Sequence, residues 1–276
     1  MPAPPADATS QLATVTAVTT CGEGGVLIEV VTREAFAPIE AGRFFMLRRA
    51  DGVGPAIPRP FSLYKQKGAR LEFMVKVIGP GTRALAAAAV GSELRLIGPL
   101  GRGWPELGPE RHRVLLAGGI GSAPFYLAIQ GWLAAGQPAD STTLIYGAAT
   151  ADFLYDLEAF EALGARVLPA TDDGSRGFHG NVLACLEAEW EAGRLPRDAR
   201  LLACGPEPML EAVEALAAGR ELEAWLSLET YMGCGVGICN GCVVPTRPEG
   251  PMGGWPNAKC CVEGPVFDAR SIALTH

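Results

Sequence analysis

The sequence predicts a multi-domain protein that combines an antiparallel β-barrel, a parallel α/β domain and a small C-terminal cysteine module. Three observations support this prediction. Residues 11–105 contain short runs rich in Val, Ile and Thr between turn residues, which is typical of a small barrel. From residue 112 onward, strand-like and helix-like segments alternate, as in a parallel sheet covered by helices. Five of the eight cysteines then fall within residues 234–261.

Composition and charge exclude several classes of partner. The 276 residues include 23 Lys and Arg against 30 Asp and Glu, which gives a net charge of −7. An acidic chain without a basic stripe is not expected to bind nucleic acid or an anionic membrane surface. Residues 114–139 are uncharged, but their glycines and Pro124 divide them into strand, turn and helix, so no membrane span is expected. Residues 1–8 lack the basic and apolar regions of a signal peptide, and a cytoplasmic protein is expected.

The first part of the chain is expected to form the barrel. Six short strands are predicted at residues 12–20, 25–32, 43–49, 62–64, 71–78 and 93–97, with glycine-rich turns between them. One helix interrupts the strands at residues 82–90, and Thr82 is expected to be its N-cap. We assign residues 10–108 to this barrel domain.

The second part of the chain contains four predicted strand–helix pairs. Strands are expected at residues 113–117, 142–146, 166–170 and 199–203, and helices at residues 122–135, 156–163, 180–192 and 207–217. Four consecutive βα units predict a parallel sheet with helices on both faces. We assign residues 109–225 to this Rossmann-like domain and residues 226–276 to the C-terminal module.

Small residues follow each of these four strands. The segments begin at Gly118, Gly147, Thr171 and Cys204, and all lie at the carboxyl ends of parallel strands, where open α/β sheets bind ligands. Small residues there let phosphate groups approach backbone N–H groups and helix N-termini. A glycine can simply end a strand, but four such segments in register favour a nucleotide site.

The C-terminal cysteines have the spacing of an iron–sulfur site. Cys234, Cys239 and Cys242 form the pattern C-x4-C-x2-C, and Cys260 and Cys261 follow. This is the plant-type spacing for a [2Fe–2S] cluster, with three ligands on one loop and the fourth farther along the chain. Four glycines are expected to supply the unusual φ angles and the close approach that the loop needs: Gly233, Gly235, Gly237 and Gly241.

A structural zinc site is the main alternative to a cluster, because a C-x2-C pair also occurs in zinc sites. Structural zinc sites usually take two separated pairs rather than a glycine-rich loop of this spacing, so the cluster is favoured. Spacing alone does not choose between Cys260 and Cys261 as the fourth ligand. The other cysteines are expected to be buried small hydrophobic residues: Cys21, Cys185 and Cys204.

A further motif fits the chemistry of a dinucleotide flavin. Arg59-Pro-Phe-Ser62 lies on a barrel strand, and Gly81-Thr82 stands at the start of the predicted helix. Arg59 can pair with a diphosphate, and backbone N–H groups at the helix start can donate to it. The Ser62 hydroxyl can hydrogen-bond to the flavin ring. Arg59 could instead be an ordinary surface cation, but the order of the motifs along the chain favours the flavin.

This order of motifs resembles the ferredoxin–NADP reductase superfamily. Residues 59–62 look like its flavin motif, residues 118–124 resemble its nicotinamide-phosphate turn, and Cys204-Gly-Pro resembles the turn that places a cysteine near the nicotinamide ring. Residues 229–242, closed by Cys-Val-Glu-Gly-Pro-Val-Phe at 261–267, are similar to the electron-transfer subunits of the type 1B dihydroorotate dehydrogenases. Thr171-Asp-Asp-Gly also matches that family. The resemblance covers roughly residues 10–272.

The resemblance implies site residues position by position. Cluster ligands are implied at Cys234, Cys239, Cys242 and Cys261, the last because it stands three residues before Gly264-Pro-Val-Phe. FAD contacts are implied at Arg59, Pro60, Phe61, Ser62, Val75, Lys76, Gly81 and Thr82. NAD contacts are implied at Gly118, Gly119, Ile120, Gly121, Cys204, Gly205 and Pro206. No catalytic side chain is expected, because the cofactors supply the chemistry.

The three cofactors together predict an electron relay. A nicotinamide exchanges hydride, a [2Fe–2S] cluster exchanges single electrons and a flavin can do both, so the flavin must lie between the other two. The resemblance implies an NAD-linked oxidoreductase subunit of pyrimidine biosynthesis. Its partner would be an FMN-containing dihydroorotate dehydrogenase subunit, in a heterotetramer with two copies of each and an interface at residues 231–265.

Two alternatives to this function remain open. The first is a related flavin and iron–sulfur subunit that serves an NAD(P)H:ferredoxin-type or a hydrogenase-type system, because the same motifs fit it. The second is a zinc-stabilised, nucleotide-binding regulatory protein without redox activity.

Overall fold

The structure is a computed structural model and describes residues 7–274. Its first part is a closed six-stranded antiparallel barrel, which confirms the predicted barrel. The strands are β1 (Thr9–Gly22), β2 (Gly25–Thr32), β3 (Phe44–Arg49), β4 (Arg59–Lys67), β5 (Arg70–Lys76) and β6 (Glu93–Leu100). They follow the order β1-β2-β5-β4-β3-β6 around the barrel. Because strand side chains alternate between two faces, one set fills the barrel centre, including Ile28, Leu63 and Phe73.

The helix between β5 and β6 begins earlier than the sequence predicts. It is α1 (Pro80–Ala86) with Gly79 as its N-cap, and the predicted span of residues 82–90 and the predicted N-cap are wrong. Proline fits the first helical position because the N–H that it lacks needs no partner there. Thr82 acts from inside the first turn, where its hydroxyl accepts the N–H groups of Ile78 and Gly79, each at 3.0 Å.

The second part is an α/β unit built on a seven-stranded sheet. Six of its strands are parallel: β7 (Arg113–Gly118), β8 (Thr142–Ala148), β9 (Arg166–Thr171), β10 (Phe178–His179), β11 (Arg200–Cys204) and β12 (Ala224–Ser227). Its helices are α2 (Ala123–Ala134), α3 (Leu157–Glu161), α4 (Val182–Glu191) and α5 (Glu207–Gly219). The parallel sheet that the sequence predicts is confirmed. The strand order β10-β9-β8-β7-β11-β12 reverses direction between β7 and β11, the position where such sheets bind ligands.

Helices cover both faces of this sheet, as predicted. Leu115 of β7 packs with α2 and α3 on one face, whereas the neighbouring Leu116 packs with α4 and α5 on the other. Both strand residues are fully buried, and burying a side chain of this kind contributes about 1.5–3 kcal/mol to folding. Cys185 is buried as expected, whereas Cys21 is half-buried. No helix within residues 7–274 is long and apolar enough to cross a membrane.

The C-terminal module is joined to the α/β sheet. It contains a hairpin of β13 (Val243–Pro245) and β14 (Asn257–Lys259), followed by β15 (Val266–Asp268). Strand β15 pairs antiparallel with β12 and forms the edge of the seven-stranded sheet. The domain limits 10–108, 109–225 and 226–276 stay predictions; β12 crosses the second boundary, and residues 275–276 lie outside the described residues.

Candidate cofactor site

A cavity of about 250 Å³ lies where the barrel, the sheet and the C-terminal module meet. The predicted flavin residues that line it are Arg59, Pro60, Phe61, Ser62, Lys76 and Thr82. The predicted nicotinamide residues that line it are Ile120, Gly121 and Cys204. The C-terminal module adds Glu229, Thr230, Met232 and Pro265. One cavity therefore borders all three predicted cofactor segments.

Arg59 presents a positive charge beside this cavity. Its Nη1 atom donates to the backbone oxygen of Ile57 at 2.8 Å, and within residues 7–274 it forms no ion pair with a carboxylate. The side chain lies against Gly81, where an added Cβ would be 3.2 Å from Arg59 Nε. Gly81 is thus the residue that leaves room for the guanidinium at the start of α1. A charge without a carboxylate partner suits the diphosphate of a dinucleotide flavin.

Val75 and Gly81 do not line the cavity, although the family resemblance includes both among the flavin contacts. The Val75 side chain is fully buried inside the barrel, so only its backbone can face a ligand. Lys76 follows with its side chain outside, and its Nζ atom lies 5.6 Å from the centre of the Phe153 ring. The alternation of a strand explains why one neighbour faces the core and the other the cavity.

The two predicted nicotinamide turns, residues 118–121 and 204–206, lie in close contact with each other at their glycines. An added Cβ on Gly121 would lie 2.3 Å from the backbone oxygen of Cys204, and one on Gly118 would lie 2.7 Å from Pro206 Cδ. Gly119 differs, because its φ is 53° and open space lies beside it. Four of the predicted nicotinamide residues do not line the cavity: Gly118, Gly119, Gly205 and Pro206. The glycines at 118, 121 and 205 allow the two turns to approach each other closely. Gly119 leaves the outer surface of its turn open.

Gly121→Ala is expected to destabilise the protein by about 1–3 kcal/mol, because the new methyl group overlaps the Cys204 backbone and forces the turns apart. Gly131→Ala is the matched control. Gly131 lies within α2 with open space around it, so alanine there is expected to stabilise the protein by up to about 1 kcal/mol. Thermal or chemical denaturation measures both changes. Equal stability of the Gly121→Ala variant and the parent would contradict the close contact between the turns.

Two titratable groups line the cavity near the nicotinamide turns. Cys204 is buried, and burial raises the pKa of its thiol, so the group is a neutral S–H at pH 7. Glu229 is accessible from the cavity. The protein around its carboxyl group shields it from bulk water and raises its pKa, and the positive charge of Lys76 offsets only part of this increase. The sequence analysis missed Glu229 and Ser227 as cavity residues. The sequence carries no signal for them, because it is the pairing of the short β12 with β11 that sets Ser227 beside Cys204.

The four predicted cluster ligands lie together as two pairs of thiols. The Sγ atom of Cys234 accepts the N–H groups of Val236 and Cys239, each at 3.5 Å, and the Cys239 thiol lies within hydrogen-bond reach of it. The Sγ atoms of Cys242 and Cys261 are 3.2 Å apart. Among residues 7–274, no three or more His, Cys, Asp or Glu side chains surround one point that could hold a single metal ion. Two pairs of thiols are compatible with a [2Fe–2S] cluster, whose two irons are held by four cysteines.

The chemistry of these thiols also fits iron. Although burial alone would raise it, the backbone N–H groups of Cys239 and Val236 lower the pKa of Cys234 to about 7. The hydrogen bond with Cys261 lowers the pKa of Cys242 to about 6, and it raises the pKa of Cys261. A lowered pKa favours the thiolate, which is the form that binds metal.

The glycines of the cluster loop have two different roles. Three residues of the loop have left-handed φ angles: Gly235 (73°), Gly237 (83°) and Asn240 (55°). The prediction of unusual φ angles is therefore wrong for Gly233 and Gly241. Those two lie against the Sγ atom of Cys239 instead, where an added Cβ would be 3.4 and 3.5 Å away. An added methyl group at either position would make an ordinary van der Waals contact with that thiol. Asn240 takes the third left-handed position, which asparagine tolerates.

The sulfur atoms of Cys260 and Cys261 make different contacts. Cys261 lies beside Cys242, whereas the Sγ atom of Cys260 is fully buried and 3.7 Å from the backbone oxygen of Leu228. Burial raises the pKa of the Cys260 thiol to about 12, which keeps it protonated. Of the two cysteines that the spacing leaves open, the arrangement favours Cys261 as a cluster ligand.

Two family models match the chain. The model described as "Oxidoreductase NAD-binding domain" matches residues 115–215. The model described as "Iron-sulfur cluster binding domain of dihydroorotate dehydrogenase B" matches residues 229–273.

The chain is also similar to curated proteins over most of its length. It is 36% identical to a protein of Geobacillus thermodenitrificans over 240 residues, which cover 85% of this chain and 87% of the relative. It is 32% identical to one of Desulforamulus reducens over 236 residues, which cover 84% and 86%. Both relatives are named "Dihydroorotate dehydrogenase B (NAD(+)), electron transfer subunit".

A solved structure shares the fold. It is the NADH-dependent reduced ferredoxin-NADP oxidoreductase, solved for insights into flavin-based electron bifurcation. It superposes with a TM-score of 0.81 at 23% identity and covers 95% of this chain and 90% of that chain. At this identity the likeness shows the arrangement of barrel, α/β sheet and C-terminal module.

Proposed function

The chain belongs to the family of dihydroorotate dehydrogenase B (NAD(+)) electron transfer subunits, and we propose that its residues hold NAD, FAD and a [2Fe–2S] cluster in that order across the junction cavity. It is an oxidoreductase subunit that passes electrons from a catalytic partner to NAD+. The observation that supports this order is the cavity itself, which borders the flavin motif, the nicotinamide turns and the start of the cluster loop.

The flavin motif is proposed to hold FAD along the barrel side of the cavity. When bound, FAD exchanges hydride with the nicotinamide and single electrons with the cluster. The guanidinium of Arg59 pairs with the diphosphate, since no carboxylate in the described chain neutralises it. Ser62 presents its hydroxyl to the ring, and Pro60, Phe61, Lys76 and Thr82 border the same space. Val75 and Gly81 contribute backbone groups.

The paired turns are proposed to hold the nicotinamide nucleotide on the sheet side of the cavity. Gly119 leaves its outer surface open, so phosphate oxygens can approach the backbone N–H groups of the turn that runs through Gly121. Cys204 presents a neutral thiol, which packs against a ring without adding charge. Gly118, Gly205 and Pro206 hold the two turns together, and Ile120 borders the flavin side.

The cluster module is proposed to face the catalytic partner. Cys234, Cys239, Cys242 and Cys261 hold the cluster, and Cys239 is exposed. Next to it Ile238 is 80% exposed, and Tyr231 is 95% exposed. Large apolar side chains around one exposed site favour a protein partner that covers them. We place an FMN-containing dihydroorotate dehydrogenase subunit there, within residues 231–265, in an assembly with two copies of each chain.

A cytoplasmic location is part of the same proposal. All eight cysteines are free thiols, although two of them lie with their sulfur atoms 3.2 Å apart. A reducing compartment keeps such thiols available for a cluster, whereas an oxidising one favours disulfides.

The test is an absorbance spectrum of the anaerobically purified full chain before and after NADH, with iron, sulfide and zinc analysis. A flavin band with a cluster shoulder, equal iron and sulfide, and bleaching by NADH are expected. Adding the FMN subunit and dihydroorotate should then drive reduction of NAD+. A colourless protein that contains zinc would overturn the proposal.

A further inference from the structure

Charged and aromatic side chains meet at the interface of barrel and sheet, outside the residues that line the cofactor cavity. Tyr64 and Lys65 lie on β4, Glu72 lies on β5, and Asp156 precedes α3. The Tyr64 hydroxyl donates to Asp156 Oδ2 at 2.7 Å, and Lys65 Nζ donates to the same oxygen at 3.0 Å. Lys65 Nζ also lies 3.2 Å from Glu72 Oε1. One carboxylate of the α/β unit thus binds two neighbouring side chains of the barrel.

Backbone hydrogen bonds reinforce this contact. The Asp156 N–H donates to the Cys21 oxygen at 3.0 Å, and the Glu23 N–H donates to the Asp152 oxygen at 2.8 Å. The Tyr155 hydroxyl donates to the Glu23 oxygen at 3.2 Å. Side chain and backbone of Asp156 therefore both bind the barrel, at two different strands.

The two barrel side chains that bind Asp156 also contact the helix that follows the nicotinamide turn. Strand β4 holds the flavin motif at its start and reaches Tyr64 and Lys65 directly afterwards. Helix α2 begins directly after the nicotinamide turn and carries Tyr126, whose ring centre lies 4.9 Å from that of Tyr64. Lys65 Nζ lies 4.7 Å from the centre of the Tyr126 ring. Tyr64 and Lys65 therefore contact both Asp156 and the nicotinamide helix, so the position of Asp156 bears on how the flavin strand meets that helix.

The arrangement carries two energetic costs. Asp156 has a φ of 49°, in the left-handed region that non-glycine residues adopt at a cost of about 1–2 kcal/mol. The side chains of Lys65, Glu72 and Asp156 are 29%, 19% and 23% exposed, so their charges are largely withdrawn from water. Removing charges from water costs free energy that ion pairs in proteins often fail to recover. Ion pairs of this kind are best attested as devices that fix register.

We infer that Asp156 is a positioning residue for hydride transfer, because its carboxylate orients Tyr64 and Lys65, the two side chains of the flavin strand that contact the nicotinamide helix. The inference rests on the proposed function. Hydride transfer depends steeply on alignment, and a misplacement of about 1 Å can lower a rate about 100-fold. Asp156 touches neither cofactor segment, so its effect is on the geometry between them.

The test compares Asp156→Asn with the parent as full-length protein loaded with FAD and cluster. Asparagine tolerates left-handed φ, so the backbone is kept while the charge is removed. Stopped-flow mixing with NADH is expected to show flavin reduction slowed about 10- to 100-fold, with a weaker charge-transfer absorbance between nicotinamide and flavin. The KM for NADH and the reduction of the flavin by dithionite are expected to stay unchanged.

Hydrogen exchange supplies a readout that does not depend on activity. In the FAD-free full chain, the amides of Asp156 and Glu23 are expected to exchange about tenfold faster in Asp156→Asn, because both N–H groups lie in the loosened contact. Glu158→Gln is the matched control, since Glu158 is an exposed carboxylate on α3 and no hydrogen bond or ion pair within residues 7–274 joins its side chain to the barrel. It is expected to match the parent in every measurement.

Tyr64→Phe removes the same contact from the barrel side and serves if Asp156→Asn does not fold. In a double-mutant cycle the two changes should be less than additive, as for groups that share one interaction. If amide exchange became faster while the rate of flavin reduction by NADH and the charge-transfer band stayed unchanged, the inference would be overturned. Asp156 would then have a purely structural role. A parent protein whose flavin NADH does not reduce would instead overturn the proposed function.

Discussion

Cys261→Ser is expected to abolish binding of the [2Fe–2S] cluster, whereas Cys260→Ser is expected to retain it. The cluster needs four thiolates, and a serine hydroxyl is a much weaker iron ligand at neutral pH. The Cys261 sulfur lies 3.2 Å from that of Cys242, inside the group of four. The Cys260 sulfur lies in the core near the backbone oxygen of Leu228, to which a serine hydroxyl can donate.

The measurement is iron and sulfide content per chain, together with the visible spectrum, for both variants and the parent. FAD content is the internal control, because in the described part of the chain neither cysteine hydrogen-bonds to the flavin motif or lines the cavity beside it. NADH should still reduce the flavin of Cys261→Ser, but transfer to the partner should stop. Loss of the cluster from Cys260→Ser, with Cys261→Ser intact, would reverse the assignment of the fourth ligand.

Arg59→Ala is expected to weaken FAD binding about 10- to 100-fold, which corresponds to the loss of about 1.5–3 kcal/mol from a charge-assisted hydrogen bond. The physical reason is the position of the guanidinium beside the cavity, with Gly81 leaving it space and no carboxylate partner in the described chain. The change removes no interaction of the barrel core. A purified variant should therefore be folded but depleted of flavin.

Titration of the flavin-free proteins with FAD, followed by flavin fluorescence, measures the affinity. Arg95→Ala is the matched control, because Arg95 lies on β6 of the same barrel and does not line the cavity. If Arg59→Ala bound FAD as tightly as Arg95→Ala, Arg59 would be an ordinary surface cation.

The sequence predicts most of the fold because the pattern of each long element is local. The barrel strands and the four strand–helix pairs each carry their own periodicity and turn residues. Strands β10, β12 and β15 contain two to four residues, too few to show a pattern, and they exist because a neighbouring strand offers hydrogen bonds. The start of α1 is missed because Thr82 has the chemistry of an N-cap but caps from the third position of the helix.

The site was predictable where chemistry depends on spacing along the chain. Cys234, Cys239 and Cys242 lie in one loop, so their spacing along the chain is enough to predict that they lie close together in space. Both Cys260 and Cys261 are buried, so the choice between them depends on which sulfur lies beside the Cys242 sulfur, and the structure places Cys261 there. Glu229 and Asp156 could not be found from sequence, because their partners lie far away along the chain.

Strand β15 has a consequence for how the protein is made. Within residues 7–274 it is the last strand of the sheet along the chain, and it covers the edge of β12, which is synthesised before it. A nascent chain that ends before β15 leaves the N–H and C=O groups of that edge unpaired, and such edges recruit other chains into aggregates. Cys261 emerges just ahead of β15, so the fourth thiol and the missing edge become available almost together. Insertion of the cluster is therefore expected to follow synthesis of residues 261–268, in a chain whose sheet edge has just been covered.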